Sequence, residues 1–178
     1  MPRQRPYNRL QRLTLCALFS ALLCVLSPIA IPIGPIPLSL GLLGVFVCAV
    51  ALPPAMALAS VASFLALGLF GLPLFAMGTG GAVALLSPTG GYLWSYLLVA
   101  PLVSHAARRA QSVWQLTLAC AVALPLCYLC GTLQYCLITQ VSPRIALSVT
   151  VLPCLPFDLI KTLAAAYVGK LIRTHFGA

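Results

Sequence analysis

The chain has 178 residues, 62% of them apolar and 6% charged, with ten Lys or Arg against a single acid and a net charge of +9. A soluble globular domain carries about 25% charged residues, so this composition excludes a free cytosolic enzyme and points to an integral membrane protein of one domain. The lone acid also excludes a carboxylate-pair mechanism, an acidic Mg²⁺ site or an EF-hand. The basic residues sit at the ends of apolar runs, not on a polar face, which fits membrane orientation and not nucleic-acid binding.

Six apolar stretches follow in chain order. Residues 1–12 form a basic segment with Arg3, Arg5, Arg9 and Arg12, expected to be cytoplasmic. The first predicted span is Leu13–Ile31. Its basic flank resembles a secretory signal, but the run is long and enters Pro-rich sequence without a small-x-small cleavage site, so an uncleaved span is expected. Within it, Ala17-x-x-x-Ala21, continued by Ser20 and Cys24, has the small-residue spacing that lets helices approach closely. Pro28, Pro32, Gly34, Pro35 and Pro37 end the run. The second span is Leu38–Leu52, and Pro53 and Pro54 separate it from the third, Pro54–Leu72.

The stretch Gly71–Gly91 is predicted to be irregular. It holds Gly78-Thr79-Gly80-Gly81 and Ser87-Pro88-Thr89-Gly90-Gly91-Tyr92. Glycine repeats let backbone approach a ligand closely. Gly90 and Gly91 open the fourth span, Tyr92–Ala107, so its positive N-terminal end is offered to an anion or a carbonyl. Tyr92, Trp94 and Tyr96 read as interfacial anchors, with Tyr92 also placed to stack on a ligand. Arg108–Ser112 leads to the fifth span, Val113–Val141, and Ser142–Arg144 to the sixth, Ala146–Ile172. The continuous apolar, Ala/Leu-rich segments exclude a β-barrel. Cys127-x-x-Cys130 lies in an apolar helix with no nearby His or acid, so the eight cysteines read as packing residues and no metal is expected.

Charge orients this arrangement. With the N-terminus inside, Arg3, Arg5, Arg9, Arg12, Arg108, Arg109, Lys170 and Arg173 all fall inside, and Arg144 alone falls outside. The expectation is an all-α protein, residues 1–178 forming a single six-helix membrane domain with both termini cytoplasmic. Three irregular stretches, Pro28–Pro37, Gly71–Gly91 and Ser142–Phe157, then share the outer side, where non-helical backbone must be buried or line a cavity. Asp158 and Lys161 are the only charges well inside an apolar run, and their i,i+3 spacing sets them on one helical face. Charges in a membrane helix are costly and point to function; a mutually neutralising structural pair is the alternative. An acceptor beside a donor suits a planar amide or ureido group.

These motifs resemble, in order and over nearly the whole chain, those of the BioY family, the biotin-specific S components of energy-coupling-factor (ECF) vitamin transporters. The residues that carry the likeness are Ile31-Pro32-Ile33-Gly34-Pro35-Ile36-Pro37-Leu38, Gly71-Leu72-Pro73-Leu74-Phe75-Ala76 leading into Gly78–Gly81, Ser87–Tyr92, and Pro156-Phe157-Asp158-Leu159-Ile160-Lys161. The resemblance implies a six-helix protein of the plasma membrane that captures biotin near its outer face, with no cofactor and no catalytic residues. Asp158 and Lys161 would bind the ureido ring. Gly78, Thr79, Gly80 and Gly81, with Thr89, Gly90, Gly91 and Tyr92, would close over the ligand. Ala17 and Ala21 match the docking motif for a transmembrane coupling subunit, which works with two ATPase subunits. The chain has no phosphate-binding loop of its own.

Two positions depart from the family pattern. Phe157 stands where Gly is usual and is expected to narrow the site. Gln134 stands where Trp is frequent, leaving Tyr135 as the candidate to supply the aromatic wall in its place. For the biotin carboxylate, backbone N–H groups at the start of the fourth span and Arg144 are the candidates. The rival functions are an S component for another small vitamin, a membrane enzyme and a structural membrane subunit.

Overall fold

The computed structural model describes residues 8–33 and 36–176. Arg3 and Arg5 of the basic segment, and Gly34 and Pro35 of the Pro-rich stretch, lie outside the described residues. The chain is mostly helical. Helix α1 (Arg9–Leu26) leads to a two-stranded antiparallel hairpin, β1 (Ala30–Ile33) and β2 (Ile36–Ser39), then to α2 (Gly41–Ala51) and α3 (Pro54–Leu69). A 3-10 turn (Ala76–Gly78) and the short α4 (Gly81–Leu85) precede α5 (Gly90–Ala107), α6 (Val113–Thr139), α7 (Pro143–Thr150) and α8 (Leu155–Phe176).

Local chemistry sets most of these boundaries. A capping box starts α6: Gln115 N–H donates to Ser112 Oγ (3.2 Å) and Ser112 N–H to Gln115 Oε1 (3.3 Å). Pro54 occupies the first position of α3, where a missing N–H costs nothing. Three further features differ from the sequence expectation. The Pro-rich stretch is a hairpin, so the fold is not strictly all-α. Prolines prevent a helix there, while the flanking isoleucines favour strand. An isolated hairpin is marginal, and this one is tied to α8 by Lys161 Nζ, which donates to Ser39 O (2.8 Å). The sixth span is broken: α7 and α8 meet at a 53° bend over Val151–Cys154, beside Pro153 and Pro156, which cannot donate to a continuing helix. The stretch Ser142–Phe157 is therefore helical over Pro143–Thr150 and not irregular throughout.

Among the described residues, α1 and α6 are each long and apolar enough to cross a bilayer, and the bent α7–α8 pair passes as a third span. Helix α2, with 11 residues, is only about 17 Å long and is buried on almost every face. A helix apolar all round belongs inside, and α2 packs between α5 and α8. Glycine permits the closest approach: a Cβ at Gly169 of α8 would stand 2.6 Å from Val50 Cγ1 of α2.

Hydrogen bonds fix which helix ends lie together. Cys16 Sγ in α1 donates to Met56 O near the start of α3 (3.6 Å). Ser104 Oγ of α5 donates to Leu52 O, just past α2 (2.5 Å). Arg173 Nη1 donates to Ala107 O, the last residue of α5 (2.7 Å). The beginnings of α1 and α3 thus share one end of the bundle with the ends of α2, α5 and α8. Arg9, Arg12, Arg108, Arg109, Lys170 and Arg173 gather at this basic end.

Helices α5 and α6 are seated on glycine. A methyl at Gly91 would strike the Cys130 carbonyl, and one at Gly131 would strike the Tyr92 ring. Gly91→Ala is expected to cost about 1–3 kcal/mol, the scale of overpacking, measured by thermal unfolding of purified protein in detergent. An unchanged midpoint would show that the two helices are not so closely seated.

Candidate functional site

The end opposite the basic one holds a cavity of about 560 Å³, within the range of small-molecule sites. Three elements that are remote in sequence build it. The hairpin supplies Ile36, Leu38 and Ser39. The 71–91 segment supplies Phe75, Met77, Thr79, Gly80, Ser87 and Thr89. The helices supply Tyr92 and Tyr96 from α5, Cys127 and Tyr128 from α6, and Asp158 and Lys161 from α8. The walls are mainly apolar, and the charged groups converge at one place.

That place is the first turns of α8. The bend between α7 and α8 makes Asp158 a first-turn residue, where the helix dipole favours a carboxylate. Lys161 Nζ meets Asp158 Oδ1 at 2.9 Å in an i,i+3 ion pair. Both residues are buried, at 4% and 8% exposure. Tyr128 OH donates to Asp158 Oδ2 (2.7 Å), and Lys161 Nζ also donates to Ser39 O in β2 (2.8 Å). An ammonium has three donors and a carboxylate about four acceptor sites. These contacts therefore leave Lys161 one donor and Asp158 two acceptor positions. A ligand that presents N–H and C=O side by side can engage both.

The 71–91 segment covers the cavity through two anchors. Phe75, 1% exposed, packs edge-on against Phe64 of α3 at 5.6 Å between centroids, over Gly68, where a Cβ would strike its ring. Phe75 N–H bonds Thr79 O (2.8 Å), closing a tight loop around Met77, which holds a left-handed φ of 60°. The second anchor is Gln134 of α6. Its Nε2 donates to Leu85 O (2.9 Å) and Ser87 O (2.8 Å), pinning the turn that carries Ser87 and Thr89.

The residues singled out in the sequence separate by location. Asp158, Lys161, Thr79, Gly80, Thr89 and Tyr92 meet at the cavity. Gly78 and Gly81 are outside its lining; they flank Thr79 and Gly80 with positive φ (71° and 80°), and a Cβ at either would meet nothing. Gly90 and Gly91 face Leu85 O and the α6 backbone instead. Tyr135 is half-buried outside the lining, and Arg144 is exposed on α7. Ala17 and Ala21 lie on the exposed face of α1 beside Leu18 and Val25. Phe157 is 46% exposed and does not line the cavity; an i−1 neighbour of Asp158 points off the shared face, so the site is not narrowed by it. Tyr96, read as an interfacial anchor, is 5% exposed and lines the cavity one turn below Tyr92. Sequence reading missed Tyr128 and Ser39. Tyr96 had a signal in its i,i+4 spacing from Tyr92, whereas Tyr128 and Ser39 reach Asp158 and Lys161 only through tertiary contact.

A sequence model of the BioY family matches residues 1–178. The chain belongs to the BioY family. The biotin transporter BioY of Thermotoga maritima is 36% identical over 165 residues, covering 92% of this chain and 96% of that one. BioY2 of Lactococcus lactis subsp. cremoris, also a biotin transporter, is 34% identical over 168 residues, covering 93% and 92%. The fold matches the crystal structure of the S-component for biotin from an ECF-type ABC transporter with a TM-score of 0.86 over 96% of this chain and 95% of that one, at 24% identity. Membership of this family makes the chain a multi-pass membrane protein.

Two outcomes test this geometry. Lys161→Met alone leaves a buried carboxylate uncompensated and is expected to destabilise by about 3–5 kcal/mol, while adding Asp158→Leu restores much of the loss. Thermal unfolding of both variants decides, and a double variant no better than the single would refute the pairing. Gln134→Leu removes one donor from each of two carbonyls, leaving Leu85 O with Trp94 Nε1 and Ser87 O with Gly90 N–H, a loss of about 1–3 kcal/mol for the two hydrogen bonds together. Hydrogen exchange at Ser87–Gly91 is expected to accelerate, and unchanged protection there would remove Gln134 from this role.

Proposed function

We propose that the chain is the substrate-binding S component of an ECF-type transporter and captures biotin for uptake. The observation that carries this is the Asp158–Lys161 pair, buried at the polar end of a mainly apolar cavity with donor and acceptor capacity to spare. Biotin has a ureido head with N–H and C=O groups side by side, an apolar ring and chain, and a carboxylate. The ureido group would bond Asp158 and Lys161, with Tyr128 and Ser39 O holding the pair in place. The thioether ring would lie against Tyr92 and Tyr96. Thr79, Gly80 and Thr89 would face the ligand directly, whereas Gly78 and Gly81 would act as the backbone pivots of the covering loop. Gly90 and Gly91 would serve by letting α5 approach α6.

In this reading residues 1–178 are one membrane domain with six crossings, by α1, α2, α3, α5, α6 and the α7–α8 pair. The basic end would face the cytoplasm under the positive-inside rule, and the cavity would face outward across the plasma membrane. The chain is not an enzyme in this role. ATP hydrolysis would belong to two ATPase subunits acting through a transmembrane coupling subunit. The exposed small-residue stripe of Ala17 and Ala21 on α1 supports docking of that coupling subunit there, since small side chains let a second helix approach closely.

Radiolabelled biotin binding to the purified chain tests the assignment. Saturable binding is expected, resistant to competition by thiamin, riboflavin or niacin. Asp158→Asn is expected to weaken it by at least about tenfold, the value of a hydrogen bond to a charged group. Tyr128→Phe should weaken it less, by about fivefold. Binding that is absent, or unchanged in Asp158→Asn, would overturn the site.

A further inference from the structure

A second concavity lies at the basic end, far from the biotin cavity. It is a groove of about 440 Å³ between the C-terminal half of α5 and the N-terminal half of α6. Its floor is made of alanines, among them Ala106 and Ala119. Leu102, Leu118 and Val122 stand as walls, 52%, 63% and 67% exposed. This is a trough of the width left where small residues on two facing helices oppose one another, open along the bundle surface.

The groove is apolar along its length and polar only at its mouth, where Arg109 and Gln115 stand. The Gln115 carbonyl oxygen is engaged by Gln111 N–H (2.7 Å) and Ser112 N–H (3.3 Å), so its remaining capacity is that of a donor. The start of α6 adds the positive end of a long helix beside it. Arg109 is exposed, and no carboxylate side chain is left in the chain to meet it, since the only one, Asp158, is held by Lys161 at the opposite end. The mouth therefore presents a cation and donors with no acidic side chain of the chain's own to meet them, directly above an apolar trough.

We propose that this groove holds an anionic phospholipid of the leaflet at the basic end, its phosphate on Arg109 and Gln115 and one acyl chain along the alanine floor. A lipid is the occupant that joins a negative head to an apolar tail at this spacing, and basic pockets between membrane helices select such heads. The assignment does not depend on the biotin reading, because it uses no residue of that cavity.

Native mass spectrometry of the intact chain, exchanged into mixtures of phosphatidylglycerol and phosphatidylcholine, tests it. One phosphatidylglycerol is expected to be retained in preference to phosphatidylcholine, and Arg109→Gln to reduce that preference about fivefold, the effect of one cation near an anionic surface. Ala119→Trp, which fills the trough, is expected to remove the retained lipid. Arg109→Gln, at an exposed position, keeps the test decisive if Ala119→Trp disturbs folding. Lys170→Gln, at the same end but outside the groove, is expected to leave retention unchanged. No preference for phosphatidylglycerol, or an equal loss in Lys170→Gln and Arg109→Gln, would overturn the proposal and leave only a diffuse basic girdle.

Discussion

A carboxylate and an ammonium held in contact inside an apolar helix bundle organise the cavity end of this protein. Either charge alone would be expensive to bury, and the pair is tolerable only because its geometry is completed from elsewhere. Tyr128 brings α6 to Asp158, and the Ser39 carbonyl brings the hairpin to Lys161. The ion pair thus ties together α8, α6 and β2. A marginal two-stranded hairpin acquires a fixed position, and it becomes one wall of the cavity.

The covering segment obeys a complementary logic. It has little regular structure of its own, so its backbone groups need partners from the helices beneath it. Gln134 supplies two of them from α6, and Phe75 inserts against Phe64 over a glycine of α3. Between these anchors, Met77, Gly78 and Gly81 adopt left-handed backbone. Glycine takes this conformation freely, so the strain of the segment falls on Met77 alone of the three. The departure of Gln134 from an aromatic residue is explained by this fastening: its amide holds the loop rather than walling the cavity.

Charge divides the molecule into two ends with different tasks. The basic end carries cations with no acidic side chains to answer them, which suits a membrane surface and the groove beside Arg109. The cavity end concentrates the lone acid and its partner. Separating them in this way leaves the Asp158–Lys161 pair free of competing counter-charges.

Much of this was legible in the chain itself. Eleven charges among 178 residues require a membrane, and the isolation of Asp158 with Lys161 marks a candidate site, because an ion pair in an apolar run is costly wherever the helix is placed. Helix starts at Gly90 and Val113 were readable from the glycine pair and from the polar break Arg108–Ser112. What tertiary structure alone decided were matters of facing and distance. The hairpin, the bend at Pro153, and the partnership of Tyr128 and Ser39 with the ion pair join residues as far as 122 positions apart. Likewise, periodicity cannot tell whether a glycine serves a ligand or a helix contact. Gly91 proved to be a seat for α6, and Gly80 a part of the cavity wall, because only the neighbouring backbone determines what a missing side chain makes room for.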